Sequence, residues 1–190
     1  YVTARDMAKI SKAALENETF RYVACKPNYY IAPTNKDKHG KELWNHHKMV
    51  KRTMYVYDGV EGGKTGYTTR AGGTLVTFAK RGDQELIVVD LCAHGYELYA
   101  DTIKMLNYGF NNYKTIAPFK SMQTVLQDDQ YGFLSTGNKL SPYKIPFKHL
   151  NDVTVMLEKK QSASNLTYKC EGSKYTVSYN GKQIGSVQLK

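Results

Sequence analysis

The period of the apolar positions changes along the chain. Near the start, Met7, Ile10 and Ala14 recur at helical spacing. Thr3-Ala4-Arg5-Asp6 stands just ahead of them, close to a capping box that satisfies free backbone N–H groups. The spacing predicts a helix that ends at Asn17 and Glu18. A polar stretch comes next, from Pro27 through Pro33-Thr34-Asn35-Lys36-Asp37-Lys38-His39 to Gly40, and its apolar patch Tyr29-Tyr30-Ile31 predicts a brief strand between loops. After a glycine-rich middle (Gly59, Gly62, Gly63, Gly66, Gly72, Gly73), Thr74-Leu75-Val76-Thr77-Phe78-Ala79 alternates as a half-buried strand would. Glu85 to Leu91 is more continuously apolar and has strand length. The link Lys80-Arg81-Gly82-Asp83-Gln84 has hairpin length and contains Gly, so the two strands are expected to be antiparallel neighbours. A second helix is predicted over about Tyr96 to Tyr108, with Tyr99, Ile103, Leu106 and Phe110 on one face. Asn107-Tyr108-Gly109 reads as its stop, with Gly109 able to take a left-handed conformation.

From Pro118 onward the helical period is lost. Thr124-Val125-Leu126, Val153-Thr154-Val155-Met156-Leu157 and Tyr175-Thr176-Val177-Ser178-Tyr179 read as short strands. Asn180-Gly181, between the last of these and Ile184-Gly185-Ser186-Val187, is a strong hairpin signal. The change of character places a boundary near Ile116 to Phe119, dividing the chain into residues 1–117 and a β-rich module of residues 118–190.

Composition narrows the class. One hundred and ninety residues, 41% hydrophobic and 23% charged, suit a folded domain of ordinary size or a domain with a small appendage, not a disordered chain. No apolar run approaches the roughly 20 residues of a membrane-spanning helix. Tyr1-Val2-Thr3-Ala4-Arg5-Asp6 has neither a basic n-region nor an apolar h-region, so no signal peptide is expected at this end. Twenty-seven basic against 17 acidic residues give a formal charge of +10. That balance fits a nucleic-acid binder, but it equally fits a protein working beside an anionic polymer such as a bacterial wall or a membrane surface. The basic residues are spread along the chain in short groups such as Lys80-Arg81 and Lys159-Lys160, and no nucleic-acid signature accompanies them. Nucleic acid is therefore not the expected partner. Cys25, Cys92 and Cys170 are odd in number and form no C-x-x-C, so they do not settle the compartment.

The segment with most chemistry is Gly59-Val60-Glu61-Gly62-Gly63-Lys64-Thr65-Gly66-Tyr67-Thr68-Thr69. Lys64-Thr65-Gly66 alone is a short motif, and a lysine in a glycine-rich turn is its plainest reading. Its place before two apolar strands sharpens it. On an edge strand, the Lys64 ammonium would offer a fixed positive charge to an anionic substrate group, and the Thr65 hydroxyl would donate a hydrogen bond to the same group. Gly66, lacking a side chain, would let an extended substrate lie against the strand.

Over nearly its whole length the chain resembles the serine-type D-alanyl-D-alanine carboxypeptidases, the low-molecular-mass penicillin-binding proteins. Tyr1-Val2-Thr3-Ala4-Arg5-Asp6-Met7-Ala8 is similar to the segment that opens a helix after the family's Ser-x-Asn motif. Pro33-Thr34-Asn35 and Asn45-His46-His47-Lys48 resemble the stretch before its third motif, and Asp58 to Thr68 resembles that motif closely. Lys80-Arg81 and Leu106-Asn107-Tyr108-Gly109-Phe110 fall at family-like places, and the β-rich tail is similar to the family's C-terminal β-domain. The resemblance implies an α+β fold: the later part of a penicillin-binding-protein or β-lactamase-like catalytic domain, an antiparallel sheet with helices, followed by a small all-β domain. It implies acyl transfer through a serine, removal of the terminal D-Ala from peptidoglycan stem peptides, and acylation by β-lactam antibiotics. It implies roles for Lys64, Thr65, Gly66, Tyr67 and Thr68 in substrate binding. Lys64 would also keep the local field positive, and the Tyr67 backbone N–H would donate to the oxyanion. No cofactor and no metal are implied, and the expected location is extracytoplasmic, at the wall or the outer face of the membrane.

The departures carry as much weight. The family's Ser-x-x-Lys and Ser-x-Asn both lie upstream of the segment that Tyr1 resembles. Two formal matches occur here, and neither has the required context. Ser141-Pro142-Tyr143-Lys144 comes after Lys-Thr-Gly, contains Pro and is expected in a loop. Ser178-Tyr179-Asn180 runs into the Asn-Gly turn. Where family members often carry an Arg before the last helix of the catalytic domain, the chain reads His94-Gly95-Tyr96-Glu97-Leu98-Tyr99, and Arg70 is the nearest candidate to compensate. His39, His46 and His47, and separately Cys92 with His94, invite a zinc site or a Cys/His dyad. No pair has zinc-site spacing, and loop or surface histidines are the expected reading. The chain is thus expected to be inactive alone, its nucleophile coming from an N-terminal segment or chain. The alternative is an inactive homologue that binds peptidoglycan.

Overall fold

The computed structural model of the chain describes residues 1–51, 54–95, 97–117, 131–136, 139–146, 154–171 and 174–188. The first helix, α1, runs Ala4–Leu15 and begins as the sequence predicts. Thr3 Oγ1 accepts from the Asp6 N–H at 3.2 Å, and Asp6 Oδ2 accepts from the Thr3 N–H at 3.0 Å. The Thr3 hydroxyl and N–H together hold the Asp6 carboxyl below the usual carboxylate range. Thr3→Ala leaves the Asp6 N–H without its acceptor and is expected to lower stability by about 1 kcal/mol. The measurement is the urea midpoint, shifted at constant slope; a midpoint equal to wild type would show the box to be idle.

Asn17 ends α1 but also starts another helix. Its Oδ1 accepts from the Phe20 N–H at 2.9 Å and caps α2, Glu18–Ala24. Asn17-Glu18 is thus more than the stop expected of it, because Asn followed by Glu is equally a start. The brief strand expected at Tyr29 is β1, Asn28–Ile31, paired antiparallel with β2, Lys41–Trp44. A short helix, α3 (Lys48–Lys51), comes next.

Three antiparallel strands form the central sheet in the order β3 (Val60–Thr68), β4 (Gly72–Arg81), β5 (Gln84–Ala93). The β4–β5 hairpin lies where it was expected, with Gly82 at φ 56° making the tight turn. Strand β4 is not half-buried as its alternation suggested: Leu75 through Ala79 are all buried. Being central, it is covered on both faces. On one face Leu75, Ala79 and Val88 pack with Met49, Val50, Tyr99, Leu106 and Phe110. On the other, Val76 and Phe78 pack with Leu15, beside Met7 and Ala24. The helix α4 (Glu97–Asn112) lies over the first face through Tyr99, Leu106 and Phe110, as its period predicted. It does not stop at Gly109. A Cβ there would sit 2.5 Å from Leu86 Cδ1, and the Gly109 carbonyl accepts from Gln84 Nε2 at 3.2 Å. The glycine marks close packing of helix on strand rather than a left-handed cap.

Packing divides the chain into two units, Tyr1–Phe110 and Asn111–Lys190. In the second, β6 (Tyr113–Ile116) pairs with β9 (Val155–Glu158), and β7 (Tyr131–Thr136) with β8 (Lys139–Pro146). Strands β10 (Leu166–Glu171), β11 (Lys174–Tyr179) and β12 (Lys182–Gln188) form an antiparallel meander. Asn180 (φ 47°) and Gly181 (φ 79°) turn β11 into β12, both left-handed as the Asn-Gly signal requires. The expected strand Thr124–Leu126 lies outside the described residues. Ser141-Pro142-Tyr143-Lys144 is on β8, a strand and not the loop expected of it. Among the described residues no helix is long and apolar enough to cross a membrane.

Candidate active site

The Lys-Thr-Gly motif lies on β3, at an edge of the central sheet. The sheet continues through it without a break: Lys64 pairs with Val76, Thr65 with Leu75, Gly66 with Thr74 and Tyr67 with Gly73. This is the edge strand the motif's chemistry asks for, and not a lysine in a turn. Residues along a strand alternate faces, so Lys64, Gly66 and Thr68 share one side and Thr65 and Tyr67 the other. Lys64 is exposed, and its ammonium turns back to donate to the Thr65 carbonyl. The charge is thereby held beside Thr65. Tyr67 is 76% exposed, leaving its side chain clear of the core. Gly66 is exposed, and a Cβ there would meet Thr74 Oγ1 at 2.5 Å, so the neighbouring strand closes over the space a side chain would need. Thr68 Oγ1 accepts from the Ala71 N–H at 3.0 Å and shapes the turn into β4.

The glycines before the motif have a packing reason. Glu61 is the extra residue of a bulge, because Val60 pairs with Ala79 while Gly62 pairs with Phe78. A Cβ on Gly62 would lie 2.6 Å from Cys25 Sγ and 3.0 Å from the Ala24 carbonyl; one on Gly63 would meet the Val76 carbonyl first and then His47 Cδ2 at 2.5 Å. The bulged Glu61 and Glu85 of β5 both pair with Arg21 of α2, at 3.3 and 2.6 Å, tying that helix across the sheet. Two clefts of about 450 and 470 Å³ meet at Cys25 and Glu61, and neither reaches Lys64–Thr68. Burial raises the Cys25 thiol above its usual range, so it is held as a thiol.

The histidines separate. His39 and His46 are exposed, as expected of loop residues, but His47 is fully buried. Its Nε2 is 2.9 Å from Thr77 Oγ1, and its ring meets Tyr99 edge-on at 5.8 Å between centroids. Burial lowers its imidazole from the usual 6.5 to about 4, against the smaller opposing pull of the His47 and Val76 carbonyls. Reading it as a loop or surface histidine misses this. The signal lies in β4, where Thr77 shares a face with Leu75 and Ala79: a polar residue amid an apolar face needs a buried partner. Cys92 is the extra residue of a second bulge, exposed and at φ 62°.

At the start of α4, where the resemblance implies an Arg, Leu98 packs against the core instead. It would lie 2.7 Å from a Cβ on Gly73, the cross-strand partner of Tyr67. Arg70 is exposed in the β3–β4 turn with its guanidinium 5.0 Å from the Tyr1 ring centroid.

The family model described as D-alanyl-D-alanine carboxypeptidase matches residues 1–95, half of the chain, including all of β3. The chain belongs to the D-alanyl-D-alanine carboxypeptidase family. It is 28% identical to the D-alanyl-D-alanine carboxypeptidase DacF of Bacillus subtilis over its whole length, which is 46% of that protein. To DacC of Escherichia coli it is 30% identical, over 63% of the chain and 28% of the relative. It thus spans less than half the length of these curated relatives. Among solved structures, penicillin binding protein 5 of Haemophilus influenzae aligns with 100% of the chain and 55% of its own, at TM-score 0.62 and 22% identity, a likeness of fold. A Streptomyces DD-transpeptidase variant aligns with 58% of the chain and 43% of its own, at TM-score 0.51 and 30% identity. The α+β, penicillin-binding-protein-like fold expected from the sequence is the one observed.

Proposed function

We propose that this carboxypeptidase-family chain is the substrate-binding part of an acyl-serine D,D-carboxypeptidase, which removes the terminal D-Ala of peptidoglycan stem peptides and is acylated by β-lactams. The unit Tyr1–Phe110 is the later portion of its catalytic domain, and the unit Asn111–Lys190, which takes in the strand Tyr113–Ile116 that the sequence pattern places before the boundary, is its C-terminal β-domain. The observation that carries the reading is the edge strand Val60–Thr68, with Lys64 exposed and its ammonium held at the Thr65 carbonyl. Lys64 and Thr65 bind the substrate carboxylate, Gly66 admits the extended peptide, and the Tyr67 N–H stabilises the oxyanion that develops in the transition state. The nucleophilic serine comes from a segment or chain outside these 190 residues, since neither Ser141 nor Ser178 stands in the required context. The charge of +10 suits work beside an anionic wall and membrane surface, outside the cytoplasm.

A fluorescent penicillin tests this. The chain alone is expected to stay unlabelled, and the chain joined to a Ser-x-x-Lys segment of its own protein to carry a covalent label that survives denaturation. A joined protein that folds but does not label overturns the enzyme reading. Retention on peptidoglycan without labelling would then identify an inactive wall-binding homologue.

A further inference from the structure

We infer that His47 is a positioning residue for the Lys-Thr-Gly strand: a buried peg that fills the space Gly63 leaves open and pins β3 to β4 through Thr77. The inference rests on reading β3 as the substrate strand, but its geometry stands apart from that reading. Gly63 and Thr77 are cross-strand partners, and His47 lies over the pair. Its ring, beside the Val76 carbonyl, closes on the place of the missing Gly63 side chain, while its Nε2 reaches Thr77 Oγ1 at 2.9 Å. The residue after Gly63 is Lys64.

The grip is two-sided. Gly62 and Gly63 face opposite sides of the strand. The end of α2, at Ala24 and Cys25, closes on Gly62, and His47 closes on Gly63. Asn45 joins the two jaws: its Nδ2 donates to the carbonyls of Ala24 and Lys26 at 3.3 and 3.0 Å, and its Oδ1 accepts from the His47 N–H at 2.9 Å. From Lys64 onward the strand is mostly exposed. The clamp therefore supplies the fixed end from which Lys64 and Thr65 project, and a ligand that binds both needs that end held still, because a small misplacement of a binding group has a large effect on rate. His47 suits the task because a neutral imidazole both bonds the hydroxyl and packs edge-on against Tyr99.

Thr77 separates this role from plain packing. Valine keeps its shape and loses the hydroxyl; serine keeps the hydroxyl and loses the methyl. Amide hydrogen exchange on the full chain is the readout. Thr77→Val is expected to speed exchange of the protected amides of Gly62–Gly66 about tenfold, with those of β5 and β12 changed less than twofold, and Thr77→Ser to stay within twofold of wild type throughout. The reverse order, with valine silent and serine damaging, would show that only packing matters and would overturn the proposal, as would equal acceleration in β3 and β5. Should Thr77→Val not fold, His47→Asn and Asn45→Ala are compared in the same way; a β3-confined acceleration supports the clamp, and a uniform or absent one overturns it. Exchange needs no catalysis, so failure of penicillin labelling and failure of the clamp are seen separately.

Discussion

Lys64→Met is expected to slow acylation by a penicillin about 100-fold in a protein uniting this chain with its Ser-x-x-Lys segment. Lys64 is exposed, so methionine there should leave the stability to urea within about 0.5 kcal/mol of wild type. What is lost is a positive charge beside the ligand's carboxylate. Charge-assisted hydrogen bonds contribute roughly 1.5–3 kcal/mol, and leaving a ligand charge unpaired in a partly desolvated site costs about 2–5 kcal/mol. A loss of about 2.7 kcal/mol is a factor of about 100 in rate. Lys64→Arg should recover only part of it, since a planar fork does not reproduce a compact ammonium folded onto the Thr65 carbonyl. The second-order rate of fluorescent-penicillin labelling decides. A Lys64→Met protein that labels within about threefold of wild type would remove Lys64 from substrate binding and leave the strand without its assigned charge.

The periodic parts of the fold could be read directly. Met7, Leu106 and Phe110 carry helical spacing, Asn180-Gly181 carries its turn, and the two apolar strands after Lys-Thr-Gly mark that motif as strand. The misreadings share a cause: one residue type can serve two structural ends. Gly109 looks like a helix stop, but glycine also lets a helix approach a strand, and only the position of Leu86 tells the two apart. Asn17 looks like an end and is also a cap. Gly62 and Gly63 read only as part of a glycine-rich stretch, whereas their bareness is demanded from both faces, by Cys25 on one and by the Val76 carbonyl and His47 on the other. These distinctions depend mostly on partners distant in the chain, which local pattern does not encode. The candidate site was legible as a strand and illegible as a support: the motif names the residues that would meet a ligand, while the residues that hold it come from α2, the loop before α3 and β4.

The same buried imidazole gives the largest expected effect of pH on stability. Folding lowers the His47 value to about 4, whereas the unfolded chain titrates near the usual 6.5. A folded value below the unfolded one means that the unfolded state binds the proton more readily. Stability is therefore full above pH about 6.5, falls as the pH drops toward 4, and levels off below that. At 1.36 kcal/mol per pH unit the loss is about 2 kcal/mol by pH 5 and about 3 kcal/mol by pH 4. The His47 and Val76 carbonyls favour the protonated ring but are outweighed by burial; Gly63, Thr77 and Tyr99 carry no carboxylate, and the Lys48 ammonium lies 5.9 Å from the Tyr99 ring centroid. Asp90 works in the opposite sense, since burial and then Asp101 raise its carboxyl, so acid favours its folded form. The quantity to measure is thus a difference: urea stability of wild type minus that of His47→Asn, from pH 7.5 to 4.5. Asparagine does not titrate, and every other group is common to both proteins. The wild-type advantage is expected to shrink steadily across that range as His47 alone takes up its proton on unfolding. A difference that stays flat would mean that His47 is solvated in the folded protein, and the peg beneath Lys64 would go with it.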